Sequence, residues 1–169
     1  INPASPTICA GEELVLSAGH GSNYMWSTTE TAQTISVSPT TATIYTVSAT
    51  TLSNNISCVA QNSVFVDVHP AAQVNAMASP TNICRGHTTT LTANGTSSYK
   101  WTGPMNSTQS SFTWSTNLAT TFTFVVTGTD ENGCEATDQV VISVGTCVGL
   151  DEQSNSAFSI YPNPSRGEL

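Results

Sequence analysis

Ala4-Ser-Pro-Thr-Ile-Cys9 returns later in the chain as Ala78-Ser-Pro-Thr-Asn-Ile-Cys84, with one inserted residue, Asn82. The echo continues in order. Gly11 matches Gly86, Leu16 matches Leu91, Ala18 matches Ala93, Tyr24 matches Tyr99 and Trp26 matches Trp101. Tyr45-Thr-Val47 then matches Phe122-Thr-Phe124, Cys58 matches Cys134, and Val64-Phe-Val-Asp-Val68 matches Val140-Val-Ile-Ser-Val144. So many matches in one order mark a unit of about 75 residues, one structural domain used twice. Repeat two carries a leading segment, Gln73-Val-Asn-Ala-Met-Ala78, most of whose counterpart in repeat one falls before Ile1. Sequence upstream of Ile1, and a truncated first strand in repeat one, are therefore expected.

Within each unit the apolar period is two. Leu14 and Leu16 flank Val15, Tyr24 and Trp26 flank Met25, Ile35 and Val37 flank Ser36, and Val64, Val66 and Val68 alternate with Phe65 and Asp67. Gly, Pro, Ser or Asn bound each run, and no helical stripe of period 3.6 occurs. The 28 Thr and 22 Ser residues suit the solvent face of strands, since a β-branched side chain fits the pleat. Roughly five to seven short strands per unit predict an all-β chain of two tandem antiparallel β-sandwiches. The expected boundaries are 1–69 and 70–147, followed by a polar linker at 148–157 and a separate piece at 158–169.

Small sandwiches have thin cores and often need covalent staples. Cys9 with Cys58, and Cys84 with Cys134, stand at the same two points of the repeat. Four cysteines allow three pairings, and the duplication favours one bridge inside each domain. Each bridge would close a loop of about 50 residues, worth roughly 4 kcal/mol by chain entropy. Cys147, after the last strand of repeat two, is the odd cysteine. It is expected as a free thiol, a partner for a cysteine elsewhere, or a bridge between chains. Disulfides imply an oxidising, extracellular setting.

Three Lys and Arg against eleven Asp and Glu give a net charge of −8. Nucleic acid is excluded as a partner, because phosphate binding needs a cationic face, and an anionic membrane surface is disfavoured for the same reason. No apolar run approaches the roughly 20 residues of a transmembrane helix. His20, His69 and His87 are not at metal-ligand spacing, and neither a nucleophile elbow nor a zinc helix occurs. The chain reads as a non-enzyme, with no cofactor expected. Asp130, Glu131 and Asn132 form a weak calcium candidate, set against a plain Asn132-Gly133 hairpin turn in which the acids are solvated. Repeat one lacks those acids. Trp26, Trp101, Tyr24, Tyr99 and Trp114 are expected in the core, with Trp114 in the place of Val37. Sugar stacking would need outward aromatics, for which only Phe65 and Tyr161 qualify. Asn55-Ile-Ser57, Asn94-Gly-Thr96 and Asn106-Ser-Thr108 fit the glycosylation pattern, which chance readily supplies in so Ser/Thr-rich a chain.

Two resemblances give these repeats a setting. Ile8-Cys9-Ala10-Gly11, Tyr24-Met25-Trp26, Ile44-Tyr45-Thr46-Val47 and Gly133-Cys134 resemble the Ig-like or PKD-like modules strung along secreted and surface proteins of Bacteroidota. Repeat one departs from the pattern at Ser57-Cys58. At the other end, Tyr161-Pro162-Asn163-Pro164, with Gly167 and Leu169, resembles the opening of the C-terminal sorting domain of type IX secretion cargo. These resemblances imply an outer-surface or extracellular location, with the type IX machinery as partner of the C-terminal domain. They imply a non-catalytic stalk or adhesion module, to which surface polysaccharide or self-association would add partners. The alternatives are accessory spacer or carbohydrate-binding modules of a larger secreted enzyme, or a subunit of an extracellular fibre.

Overall fold

The computed structural model describes residues 1–53 and 56–147. The expected linker and the sorting-motif residues Tyr161, Pro162, Asn163, Pro164, Gly167 and Leu169 lie outside the described residues. The described residues form thirteen strands and no helix. Repeat one contributes β1 (Thr7–Cys9), β2 (Leu14–Ser17), β3 (Ser22–Trp26), β4 (Thr34–Val37), β5 (Thr43–Ser53) and β6 (Ile56–His69). Repeat two contributes β7 (Asn75–Ser79), β8 (Asn82–Cys84), β9 (Thr88–Asn94), β10 (Ser98–Thr102), β11 (Ser111–Ser115), β12 (Thr121–Thr129) and β13 (Glu135–Gly145).

Each repeat closes one Ig-like sandwich. In the first, the sheet β1-β6-β5-β3 faces the pair β2-β4; in the second, β10-β12-β13-β8 faces β11-β9-β7. Neighbouring strands are antiparallel except β1 on β6 and β8 on β13, which run parallel. Where repeat two has β7, repeat one has a bridge between Asn2 and Ser17. The inward residues of the two sheets form two separate cores, one around Leu16, Trp26, Ile35, Val47 and Val66, the other around Leu91, Trp101, Phe112, Phe124 and Ile142. Alternation along the strands places these residues inside and the hydroxyl residues outside, as period two requires.

The recurring aromatics divide by role. Trp26 and Trp101 are buried, and each indole Nε1–H donates to a carbonyl of the following loop, Ala32 at 2.8 Å and Gln109 at 3.1 Å. Tyr24 and Tyr99 are only half-buried. Their hydroxyls donate to carbonyls of the loop just before them, Gly19 and Gly21 in one repeat and Thr96 in the other. Trp114 stands in the place of Val37 and packs edge-on against Phe122 and Phe124, at 4.9 and 5.1 Å between ring centroids.

The ladders correct one detail of the repeat alignment. Thr43 pairs with Val66 where Phe122 pairs with Ile142, so Tyr45 and Val47 correspond to Phe124 and Val126, two residues beyond the match expected from sequence. The buried residues agree: Phe124 and Val126 are fully enclosed, and Phe122 is not.

The disulfides correct a larger one. Neither expected intradomain bridge forms. Cys9 bonds Cys134, and Cys84 bonds Cys147, leaving Cys58 free and exposed. The reason lies in strand register. Parallel pairing sets Cys9 beside His69 at the end of β6, whereas Cys58 lies eleven residues earlier on the same continuous strand. At about 3.3 Å per residue the two are roughly 35 Å apart. A disulfide needs Cα atoms within about 7 Å. Cys84 beside Gly145 stands in the same relation to Cys134. Each sandwich therefore carries its two repeat cysteines at opposite ends. Cys147 is neither free nor intermolecular here, for it closes on the Cys84 end of its own sandwich.

Candidate functional site

The feature that distinguishes this chain is the join between the sandwiches. On the first sandwich, Cys9 begins a tight turn in which the Glu12 N–H donates to the Cys9 carbonyl at 2.9 Å, with Gly11 at φ +81°. The Glu12 carboxylate folds back to accept the Cys9 N–H at 3.0 Å, and the Ala10 N–H donates to the His69 carbonyl. The turn after Cys84 repeats this: the His87 N–H donates to the Cys84 carbonyl, Arg85 N–H to Gly145, and Gly86 has φ +76°. A left-handed residue at the third turn position is what type II turns ask for, and Gly meets it without strain.

On the second sandwich, Cys134 leaves the β12–β13 hairpin. The Asp130 carboxylate Oδ1 accepts the Asn132 and Cys134 N–H groups, both at 2.9 Å, and Gly133 takes φ +84°. Asp130 thus organises the turn. Among the described residues no three His, Cys, Asp or Glu side chains converge as a metal site, and Glu131 and Asn132 are exposed on the turn. The hairpin of the calcium candidate is instead the surface that presents Cys134 to Cys9.

Between the two cysteines runs the connecting segment 70–74, and it lies across the end of the second sandwich. A side chain at Gly128 would collide with Val74, and one at Gly95 with the Gln73 carbonyl. Close backbone approach at these positions is what the missing Cβ permits. Just beyond, the Asp138 carboxylate accepts the Ala76 N–H at 2.7 Å and the Gln139 N–H at 2.8 Å. Those two bonds, the Ala76 one foremost, hold its carboxyl below the ordinary range. The join is covalent twice, through the backbone and through Cys9–Cys134, and seated besides.

The remaining candidates are scattered. His69 ends β6 at the join, His20 lies in the loop after Ala18 at the opposite end, and His87 sits in the turn after Cys84 near the Arg85 carbonyl. Phe65 is outward and 54% exposed, paired across the sheet with Ile44 at 61%. One aromatic on that face gives no stacking platform. No helix among the described residues is long and apolar enough to cross a membrane.

No protein-family model and no curated protein matches the sequence. Solved structures do resemble its fold. The fibronectin(III)-like modules of Clostridium thermocellum CbhA align at TM-score 0.41 and 14% identity, over 88% of this chain and 94% of theirs. The N-terminal four Ig domains of Dscam1 isoform 7.44 align at TM-score 0.33 and 11% identity, over 85% of this chain and 45% of that one. The extracellular cadherin domains 1–4 of protocadherin Gamma B7 align at TM-score 0.29 and 10% identity, over 85% and 50%. The chain spans about half the length of the last two.

Proposed function

We propose that this chain is a stretch of extracellular stalk: two non-catalytic Ig-like modules, 1–69 and 70–147, a linker at 148–157, and at 158–169 the start of a type IX sorting domain. The observation that carries the reading is the Cys9–Cys134 bond across the join. A second covalent attachment at the join limits pivoting of the two modules, which suits a spacer that must project. Two disulfides in one small chain fit an oxidising compartment outside the cytoplasm. The acidic, hydroxyl-rich surface fits a soluble module that resists non-specific association. The address rests on the motif from Tyr161 to Leu169, which supplies the type IX machinery as partner.

The test is fractionation of the native organism with an antibody to residues 1–147. In cells with intact type IX secretion the protein is expected at the cell surface or in the culture fluid. In a strain lacking the outer-membrane translocon it is expected in the periplasm, still carrying the segment from Phe158 onward. An identical distribution in the two strains would refute the address.

A further inference from the structure

We propose that the Cys58 hairpin is the receiving half of a second clasp, one that holds the end of a preceding Ig-like sandwich just as Cys134 holds Cys9. This deepens the stalk reading and rests on it. Two points of the one chain correspond in register, although the β5–β6 ladder runs two pairs past Cys58 while Cys134 stands in the turn itself. Register carried along both hairpins sets Thr51 opposite Cys58 where Asp130 meets Cys134, the Asp130 N–H donating to the Cys134 carbonyl at 3.0 Å. Cys58 and Cys134 therefore occupy the same point of the fold. Cys134 is fully enclosed by its bond to the neighbouring sandwich, and Cys58 is exposed as a thiol.

The surroundings of Cys58 point to the same occupant. In repeat two, residues 73–76, the end of the connecting segment and the start of β7, cover the end of the fold, against Gly128, Gly95 and Asp138. Asn62 stands in the place of Asp138 and makes the same local bond, its Oδ1 accepting the Ser63 N–H at 2.8 Å. Ile56, on the same face of β6 as Cys58, is 65% exposed, apolar surface that a neighbouring module would cover. The occupant of Cys58, by its correspondence to Cys134, is a cysteine that opens an Ile-Cys-x-Gly turn, as Cys9 does. Both Cys-x-Gly turns of this chain already have partners, Cys9 in Cys134 and Cys84 in Cys147.

The bond forms as its neighbours do, by exchange with a disulfide-bearing oxidase. Two thiols lose two protons and two electrons to the donor disulfide, which leaves as a dithiol, and one Sγ–Sγ bond remains.

The experiment is disulfide mapping of the protein isolated from its native source. Free thiols are alkylated at harvest, and the protein is digested with pepsin at low pH, where thiolate exchange is suppressed. The Cys9–Cys134 peptide pair serves as internal reference. The expected result is a Cys58 peptide that escapes alkylation and is linked to a peptide with a Cys-x-Gly turn other than those at Cys9 and Cys84. Alkylated Cys58, Cys58 bound to a small thiol, or Cys58 linked to Cys58 or Cys84 of a second copy would each overturn the proposal. Alkylated Cys58 in an extracellular protein with Cys9–Cys134 intact defeats this clasp alone. Loss of the reference pair in a protein retained in the cytoplasm defeats the stalk reading with it.

Discussion

Asp138 ties two strands of the second sandwich through its carboxylate. Its carboxylate joins β13 to β7, which belong to opposite sheets, by accepting the Ala76 N–H. A carboxyl whose folded pKa lies below its unfolded value of ~3.9 stabilises the fold above that value. The contribution is lost as pH falls through the depressed folded pKa. Urea midpoints of the second sandwich are therefore expected to drop on acidification below about pH 4. Asp138→Asn should lower the midpoint at pH 7 and flatten this acid-side slope; an unchanged slope would dismiss the charge-assisted tie. Trp101 acts by volume instead. It is fully buried, edge-on to Phe112 at 5.6 Å, with its N–H bonded to Gln109. Trp101→Ala leaves a cavity and an unpartnered carbonyl, and should cost about 3–5 kcal/mol in a urea titration followed by near-UV circular dichroism. The core position of Trp101 was legible from its recurrence with Trp26. The cross-sheet bond of Asp138 was not, because repeat one has Asn62 there and the residues alone do not say that β7 lies across from it.

Among the elements, the hairpins decide what the cysteines do. Alternation made β6 and β13 readable as strands, and the Asn132-Gly133 turn was legible from its residues alone. What sequence could not supply was the pairing of short β1 with the far end of β6. Equal positions in two repeats look like a bonded pair when strand direction is unknown. Once Cys9 is seen beside His69, intradomain bonding is geometrically closed to it. The apolar alternation readable in the sequence covers only Val64 to Val68, and Val59 to Ser63 carry no such pattern, so nothing in the residues showed that β6 runs unbroken from Ile56 to His69. The β12–β13 turn can be tested by itself. Gly133 adopts φ +84°, and a Cβ there would meet nothing within 4 Å, so any cost of substitution is backbone strain. Gly133→Ala should destabilise by about 1–2 kcal/mol, and Gly133→Asn by less, since Asn tolerates the left-handed region better. Equal losses for the two would mean that the turn is disturbed by some means other than its φ.

Across the full length of the chain, the two disulfides have different effects. Cys84–Cys147 lies within the second sandwich, fastening the segment after β13 to the turn after β8. Its separation of 63 residues corresponds to roughly 4 kcal/mol of chain entropy, a stabilisation confined to that sandwich. Cys9–Cys134, at a separation of 125 residues, joins two bodies with separate cores that the backbone already connects through 70–74. One tether lets two bodies pivot about it, and a second attachment, set apart from the first, removes most of that freedom. Replacing both Cys9 and Cys134 by Ser should then broaden the distribution of inter-sandwich distances, read by small-angle scattering or by spin labels placed on the outer sheet faces. Replacing both Cys84 and Cys147 by Ser should lower the melting temperature of the second sandwich and leave that distribution as it was. The contrast separates rigidity from stability. If the Cys9 and Cys134 double variant scatters like the parent, the seat of Gln73 and Val74 against Gly95 and Gly128 is enough to hold the join. The clasp would then guard against unfolding under load, and its loss would show in the force needed to extend the chain.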